Sequence, residues 1–349
     1  METVGELLRD AAAGADVESV AGQFDRLPVP AGLAYSLGLE PDLQPAAPVT
    51  DAVAGELPAN MVVLAGPGVV RTGSVDGLRA LATAANVPVA NTWGAKGVLT
   101  WDSPHHMGTC GLQARDFELL DFASYDAILA TGIDADESPR ERFELAPVVE
   151  VSPGQLGHLA QRVRPASDPI RPNDLYARLS AIAQPGFVDQ RVPLHPARAV
   201  ADVRAALPAG GVVTADPGVA GVWVARTFPT TEPGTVLVPA TVVRGAAAAL
   251  ALVASLRGVP AIAVNTETLD HTTLAVLALA TELAVAFVVD VWSAGGPVRR
   301  ADDHLEQLQA AVREPGVTIV DVPVDTSLTR RLVDAAGPVV AWGGLRTNA

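Results

Sequence analysis

Short apolar runs rich in β-branched residues recur along the chain at Met61–Ala65, Val87–Asn91, Ala127–Thr131, Val148–Val151, Val212–Thr214, Ala261–Val264, Val285–Val289, Thr318–Val322 and Val339–Trp342. They do not alternate strictly with polar residues, and valine dominates them, as in strands buried on both faces of a parallel sheet. Between them the period lengthens. In Ser74–Asn86, Leu78, Leu81 and Ala85 fall on one helical face, and Ser74 stands where its hydroxyl can accept an orphan N–H as N-cap. Pro196 at a first-turn position, followed by Val200, Val203 and Leu207 on one stripe, predicts another helix. Strand, helix, strand in repetition implies right-handed βαβ units. The pattern therefore predicts an α/β protein with two doubly wound, parallel-sheet (Rossmann-like) domains.

A boundary is expected at Gln184–Leu194, where Pro185, Gly186 and Pro193 interrupt both periods. Residues 48–183 then form one α/β unit and 195–349 another. Residues 1–47, Pro- and Gly-rich after a short helical pattern at Val4, Leu7, Leu8 and Ala11, read as an N-terminal remnant or linker. The length of 349 residues agrees with two domains of roughly 100–200 each, and 49% apolar residues are too many for a disordered chain.

Charge narrows the list of partners. With 24 Lys and Arg against 39 Asp and Glu, the net charge of −15 repels nucleic-acid phosphates and anionic membranes. The start, Met1 to Glu6, lacks a basic and then apolar leader pattern, and the charge-free apolar stretch Gly245 to Leu256 falls short of the roughly 20 residues of a membrane span. Cys110 stands alone, which excludes an intrachain disulfide framework and a Cys-based zinc site. A cytoplasmic protein without nucleic-acid or membrane partners is expected. Lys96 is the only lysine, which reads as compositional bias.

Candidate chemistry is sparse. Gly66-Pro67-Gly68 lies between a strand and a helix, but Arg71 fills the third glycine place of a dinucleotide fingerprint and no acidic residue follows Val87–Asn91. A tight packing turn is the favoured reading, with an adenine-nucleotide cradle as the alternative. Ala34-Tyr35-Ser36-Leu37-Gly38 is a near miss for a nucleophile elbow, without the strand and helix that expose the serine. The neighbours His105 and His106 read as loop residues. Asp216-Pro217-Gly218 closes a strand, at the edge where α/β sheets hold ligands, although Asp216 is equally suited to cap a helix.

Several stretches together resemble the thiamine diphosphate (ThDP) enzymes of the acetohydroxyacid synthase and benzoylformate decarboxylase type. Val62 to Val69, Val87 to Thr92 with Gly94 to Gly97, Met107 to Gly111, and Tyr125 to Gly132 follow the order and spacing of that family's central domain. Asp216, Gly218 and Trp223 match the D-x-G-x-x-x-x-W element of its diphosphate-binding domain. The resemblance implies cofactor contacts at Asp216, Gly218, Asn265, Thr266 and Glu267, since the last three stand where the family carries the G-D-G that holds Mg²⁺ and diphosphate. Thr266 offers a neutral hydroxyl in place of the metal-binding carboxylate, and Glu267 adds a negative charge facing an anion. The family's metal-binding Asn falls at Asp290, Val291 or Trp292, and Asp290 or Asp270 might restore a carboxylate only in a rearranged site. The glycine-rich segment beside the thiazolium reads Val242-Val243-Arg244-Gly245-Ala246-Ala247.

The family also has a pyrimidine-binding domain of roughly 170 residues before the central one, whose glutamate activates the cofactor; here 47 residues stand there, with Arg26 to Pro30 similar to its tail. These departures lead us to expect a truncated, degenerate homologue with no catalytic or metal-binding residues of its own, in which ThDP and Mg²⁺ binding are doubtful and which acts as a binding, regulatory or scaffold subunit. One alternative is an acetolactate synthase-like subunit acting on 2-oxo acids, completed by a partner chain that supplies the pyrimidine-binding domain. Another is a module that holds FAD, ADP or CoA in its central domain. A homodimer or higher homo-oligomer is expected in each case.

Overall fold

A parallel sheet buried on both faces needs apolar side chains in unbroken runs, and two such sheets form. The computed structural model describes residues 57–345 apart from 168, 243 and 267, together with 3, 5 and 6. The expectations for Ala34–Gly38, Arg26–Pro30 and almost all of residues 1–47 therefore lie outside the described residues.

The first sheet holds β1 (Met61–Ala65), β2 (Val89–Thr92), β3 (His106–Cys110), β4 (Ala127–Thr131) and β5 (Val148–Glu150), in the order β3-β2-β1-β4-β5 with every pair parallel. Its helices are α1 (Gly68–Arg71), α2 (Val75–Ala85), α3 (Asp116–Leu119), α4 (Arg140–Phe143) and α5 (Leu156–Ala160). Alternate strand residues serve opposite cores: Met61, Val63 and Ala65 pack against α2 and α5, while Val62 and Leu64 join Phe117 and Phe122.

A long helix, α6 (Asp174–Phe187), leads to the second sheet. That sheet holds β6 (Val212–Ala215), β7 (Val236–Leu237), β8 (Ala261–Thr266), β9 (Phe287–Ser293) and β10 (Val317–Pro323), all parallel in the order β10-β9-β8-β6-β7. On one face lie α7 (Pro196–Ala206), α8 (Val219–Thr227) and α11 (Ala301–Ala311). On the other lie α9 (Ala246–Leu256) and α10 (His271–Glu282). The last helix, α12 (Thr329–Ala336), returns toward α6. In α9 every residue from Ala246 to Ala254 is buried, which explains an apolar stretch too short for a membrane. Among the described residues no helix is long and apolar enough to cross one.

Buried polar contacts join the two sheets' layers. Arg226 of α8 donates to Asp116 Oδ1 at 2.6 Å and to Gln113 Oε1 at 3.1 Å. Gln113 in turn donates from Nε2 to the carbonyls of Leu332 and Gly337.

Four local expectations need correction, and two strands were not foreseen. Val339–Trp342 is not a strand: Val339 makes one isolated antiparallel bridge to Gln113, and a 3₁₀ turn follows in which Trp342 takes φ +56° and packs its ring 5.6 Å from that of Trp93. His106 opens strand β3 and is not a loop residue. Two strands lacked a readable run, β3 because it reads His-Met-Gly-Thr-Cys and β7 because it is two residues long. Pro185 and Gly186 lie inside the last turn of α6, where the proline offers no N–H to the carbonyl four residues back, so the irregular stretch begins only after Phe187. Ser74 precedes α2, but its side chain makes no cap; the hydroxyl instead lies 2.9 Å from that of Thr72.

Candidate functional site

In a doubly wound sheet, ligands bind beyond the carboxyl ends of the strands, where the strand order reverses and adjacent connections go to opposite faces. That point falls between β1 and β4 in the first sheet and between β6 and β8 in the second.

At the second, Asp216 follows β6 directly. Its Oδ1 accepts from the backbone N–H of Ala247 at 2.9 Å, in the first turn of α9, and its Oδ2 accepts from Asn265 Nδ2 at the end of β8. Thr214 fastens the same helix by donating its hydroxyl to the Ala247 carbonyl at 2.7 Å. Burial pushes the Asp216 carboxyl up to about 6, with Asp270 adding repulsion and the bonds from Ala247 and Asn265 opposing both. Asn265 is buried, and its Oδ1 has no hydrogen-bond partner. Gly218 starts α8 at φ +136°, a conformation that favours glycine, and a Cβ there would meet nothing within 4 Å. Thr266 closes β8 half-buried, while Glu267 lies outside the described residues. Asp270 caps α10, accepting from Thr273 N at 2.8 Å.

The structure thus brings Asp216 and Asn265 into contact and places Gly218 and Thr266 on the same sheet edge. Trp223 is a packing residue, fully buried with its Nε1 donating to Thr329 Oγ1 at 2.9 Å. Asp290 is turned to the opposite face of the sheet, where its carboxylate meets His304 Nε2 at 3.2 Å and Trp292 Nε1 at 3.0 Å. His304 Nδ1 lies 3.0 Å from Asp202 of α7, and all three side chains are buried. Asp290 is therefore committed to an internal network and adds no carboxylate beside Thr266. That network escaped sequence reading because its members come from three separate elements. Among the described residues no three His, Cys, Asp or Glu side chains gather as a metal-binding group.

The first sheet's crevice is closed by backbone. Gly66 N donates to Thr131 O at 2.9 Å and Gly68 N to Gly132 O at 2.8 Å. A Cβ on Gly66 would lie 2.2 Å from Gly132 O, so glycine is required for this approach. Beside it Glu137 is buried, accepts from Gly94 N at 3.3 Å, and is pushed up to about 8 chiefly by burial. The backbone N–H groups of Gly66 and Gly68 are thus spent on backbone carbonyls. Glu137 was not singled out in the sequence, where nothing marks a carboxylate that burial will neutralise.

The family model described as thiamine pyrophosphate enzyme, central domain, matches residues 58–164. Among solved structures, one similar in fold to this chain is a protein from Mycobacterium smegmatis assigned as a thiamin diphosphate-dependent enzyme, at 17% identity and TM-score 0.61, covering 81% of this chain and 67% of that one. Another is the thiamine diphosphate-dependent 4-hydroxybenzoylformate decarboxylase of Rhodococcus jostii RHA1, at 16% identity and TM-score 0.63, covering 81% of this chain and 66% of that one. The match thus spans about two thirds of the solved chains. No curated protein matches the chain in sequence.

Proposed function

We propose that this chain is a ThDP-enzyme homologue that does not carry out the cofactor's chemistry alone and acts as a binding, regulatory or scaffold subunit, itself a homodimer or higher homo-oligomer. One observation carries the reading: Asp216 Oδ1 accepts from Ala247 N at the start of α9 while Oδ2 accepts from Asn265, so the protein's own anion takes a backbone N–H of the kind that would otherwise meet a phosphate.

The remaining donors do not fit a magnesium diphosphate. Mg²⁺ is a hard cation usually held by one or two carboxylates together with phosphate oxygens. Thr266 presents a hydroxyl where the resemblance calls for that carboxylate, and Asn265 puts a side chain where close backbone approach needs glycine. Asp216 and Asp270 would face the incoming anion with negative charge of their own. Isothermal calorimetry of the purified chain with ThDP, with and without Mg²⁺, tests this. No heat of binding is expected at hundreds of micromolar cofactor, and a micromolar, Mg²⁺-dependent isotherm would overturn it.

The retention of Asp216, Gly218 and Trp223 at the family's spacing favours a second reading. A partner chain would supply a pyrimidine-binding domain, and the pair would decarboxylate a 2-oxo acid or transfer its acyl group. Recovery of a chain of that type with this protein from native extract would support it, and recovery of none would count against it. A nucleotide or CoA site in the first sheet has less support, because Gly66, Gly68 and Gly132 fill the crevice and Glu137 lies beside it. A thermal shift with FAD, ADP or CoA would revive that reading.

A further inference from the structure

The chain's single lysine is not on its surface. Lys96 follows β2, is only 8% exposed, and lines a cavity of 600 Å³ between the two sheets' layers. The walls come from β3, α6, α7 and the C-terminal end of α8. Asp216 lies beyond the N-terminal end of that nine-residue helix, so about 13 Å of helix separates the cavity from the sheet edge described above. The cavity shares no lining residue with that edge.

Its charged side chains are all basic. Lys96 Nζ reaches Thr109 Oγ1 at 3.5 Å, which leaves at least two N–H donors unused. Arg226 spends its terminal nitrogens on Thr109 O, Gln113 and Asp116, but its Nε is buried without a partner. Asp116 balances the guanidinium, whereas the ammonium of Lys96 has no carboxylate partner among the described residues. The other charged or titratable groups facing it are His106 from β3, Tyr176 from α6 and Arg204 from α7. Burial and the neighbouring Lys96 hold His106 down at about 4, so its ring is neutral. Burial, and then Arg226, lower Lys96 to about 7. Most of the wall is apolar, including Met107, Leu175, Leu179, Phe187 and Phe228.

We propose that this cavity binds an amphipathic carboxylate, an aromatic or medium-chain carboxylic acid, with its head between Lys96 Nζ and Arg226 Nε and its apolar body along Leu175, Leu179, Phe187 and Phe228. Lys96 supplies positive charge for an anionic head. Two convergent kinds of N–H donor suit the two oxygens of a carboxylate, which would also satisfy the orphaned Arg226 Nε. The volume lies in the range of small-molecule sites, about 300–1,000 Å³. Binding draws a proton onto Lys96, so affinity falls as pH rises through 7 while the ligand itself stays ionised. The inference does not depend on whether the chain binds ThDP.

The test uses the full chain with octanoate, 4-phenylbutyrate and, as the uncharged control, 1-octanol, in calorimetric titrations at pH 6 and pH 8. Octanoate is expected to bind at least tenfold more tightly than 1-octanol at pH 6 and to lose about tenfold by pH 8, following the ammonium fraction of a group titrating near 7. Lys96→Met should abolish both differences. Equal binding of acid and alcohol, or an unchanged octanoate affinity in Lys96→Met, would overturn the proposal. Should that variant fail to fold, reductive methylation of the wild-type chain decides, because only one lysine can be modified: octanoate must slow methylation of Lys96, and an unchanged rate contradicts the proposal.

Discussion

The two sheets close their ligand edges by opposite means. In the first, three glycines let backbone meet backbone across β1 and β4, and the crevice is filled by shape. In the second, β6 is paired with β8 to its end, and a carboxylate, an amide and a helix N–H meet just beyond it. Steric closure leaves nothing to ionise at the contact itself. Closure by a carboxylate makes the second edge sensitive to pH, because the N–H groups of Ala247 and Asn265 hold an ionisable group. The difference shows why a doubly wound fold is not by itself a ligand site.

The largest effect expected at the first edge concerns Glu137. An acid whose folded pKa is raised contributes stability that is complete below its unfolded value and is lost as pH rises to the folded one. For Glu137 that window runs from 4.5 to about 8, and Glu137→Gln should be more stable than wild type at pH 8 by roughly 4 kcal/mol. At pH 4 the two should coincide, as read from urea unfolding midpoints. Next in size is Gly66→Ala, which drives a Cβ into the Gly132 carbonyl and should cost about 3 kcal/mol at every pH in the same assay. A pH-independent loss there, beside a pH-dependent gain at Glu137, separates shape from charge within one crevice.

At the second edge, Asp216→Asn keeps an acceptor for Ala247 N, and rotating the Asn265 amide offers its orphaned Oδ1 to the new donor. The Asp216 window runs from 3.8 to about 6. The variant should therefore gain about 2 kcal/mol over wild type above pH 6 and nothing below pH 4, less than Glu137 because Asp216 keeps some contact with water. The smallest effects distinguish real caps from apparent ones. Asp270→Ala should cost about 1 kcal/mol by removing its bond to Thr273 N. Ser74→Ala should change stability by less than about 0.3 kcal/mol, since that hydroxyl caps nothing.

Much of this architecture was legible because burial on both faces writes itself as runs of valine. The runs at β1 and β4 are strands with the expected ends, and those at β2, β5, β6, β8, β9 and β10 are strands with ends shifted by one to four residues. His-Met-Gly-Thr-Cys lacked such a run, and its place in β3 is set by pairing to β2. Trp342 misled in the other direction: the apolar run it ends is turned by a positive φ that no side-chain pattern announces. Asp216 and Asn265 could each be placed at a sheet edge, but their bond depends on β6 lying beside β8, a fact of strand order. Lys96 looked like a compositional accident because its neighbours in the cavity come from residues 106 to 332.

The most direct test of the closed second edge is a crystal soaked with millimolar ThDP and Mg²⁺. The account predicts that Asp216 Oδ1 stays on Ala247 N–H and that no metal appears beside Thr266. Density for a metal ion bound to Asp216 or Thr266, with diphosphate at the start of α9, would contradict it.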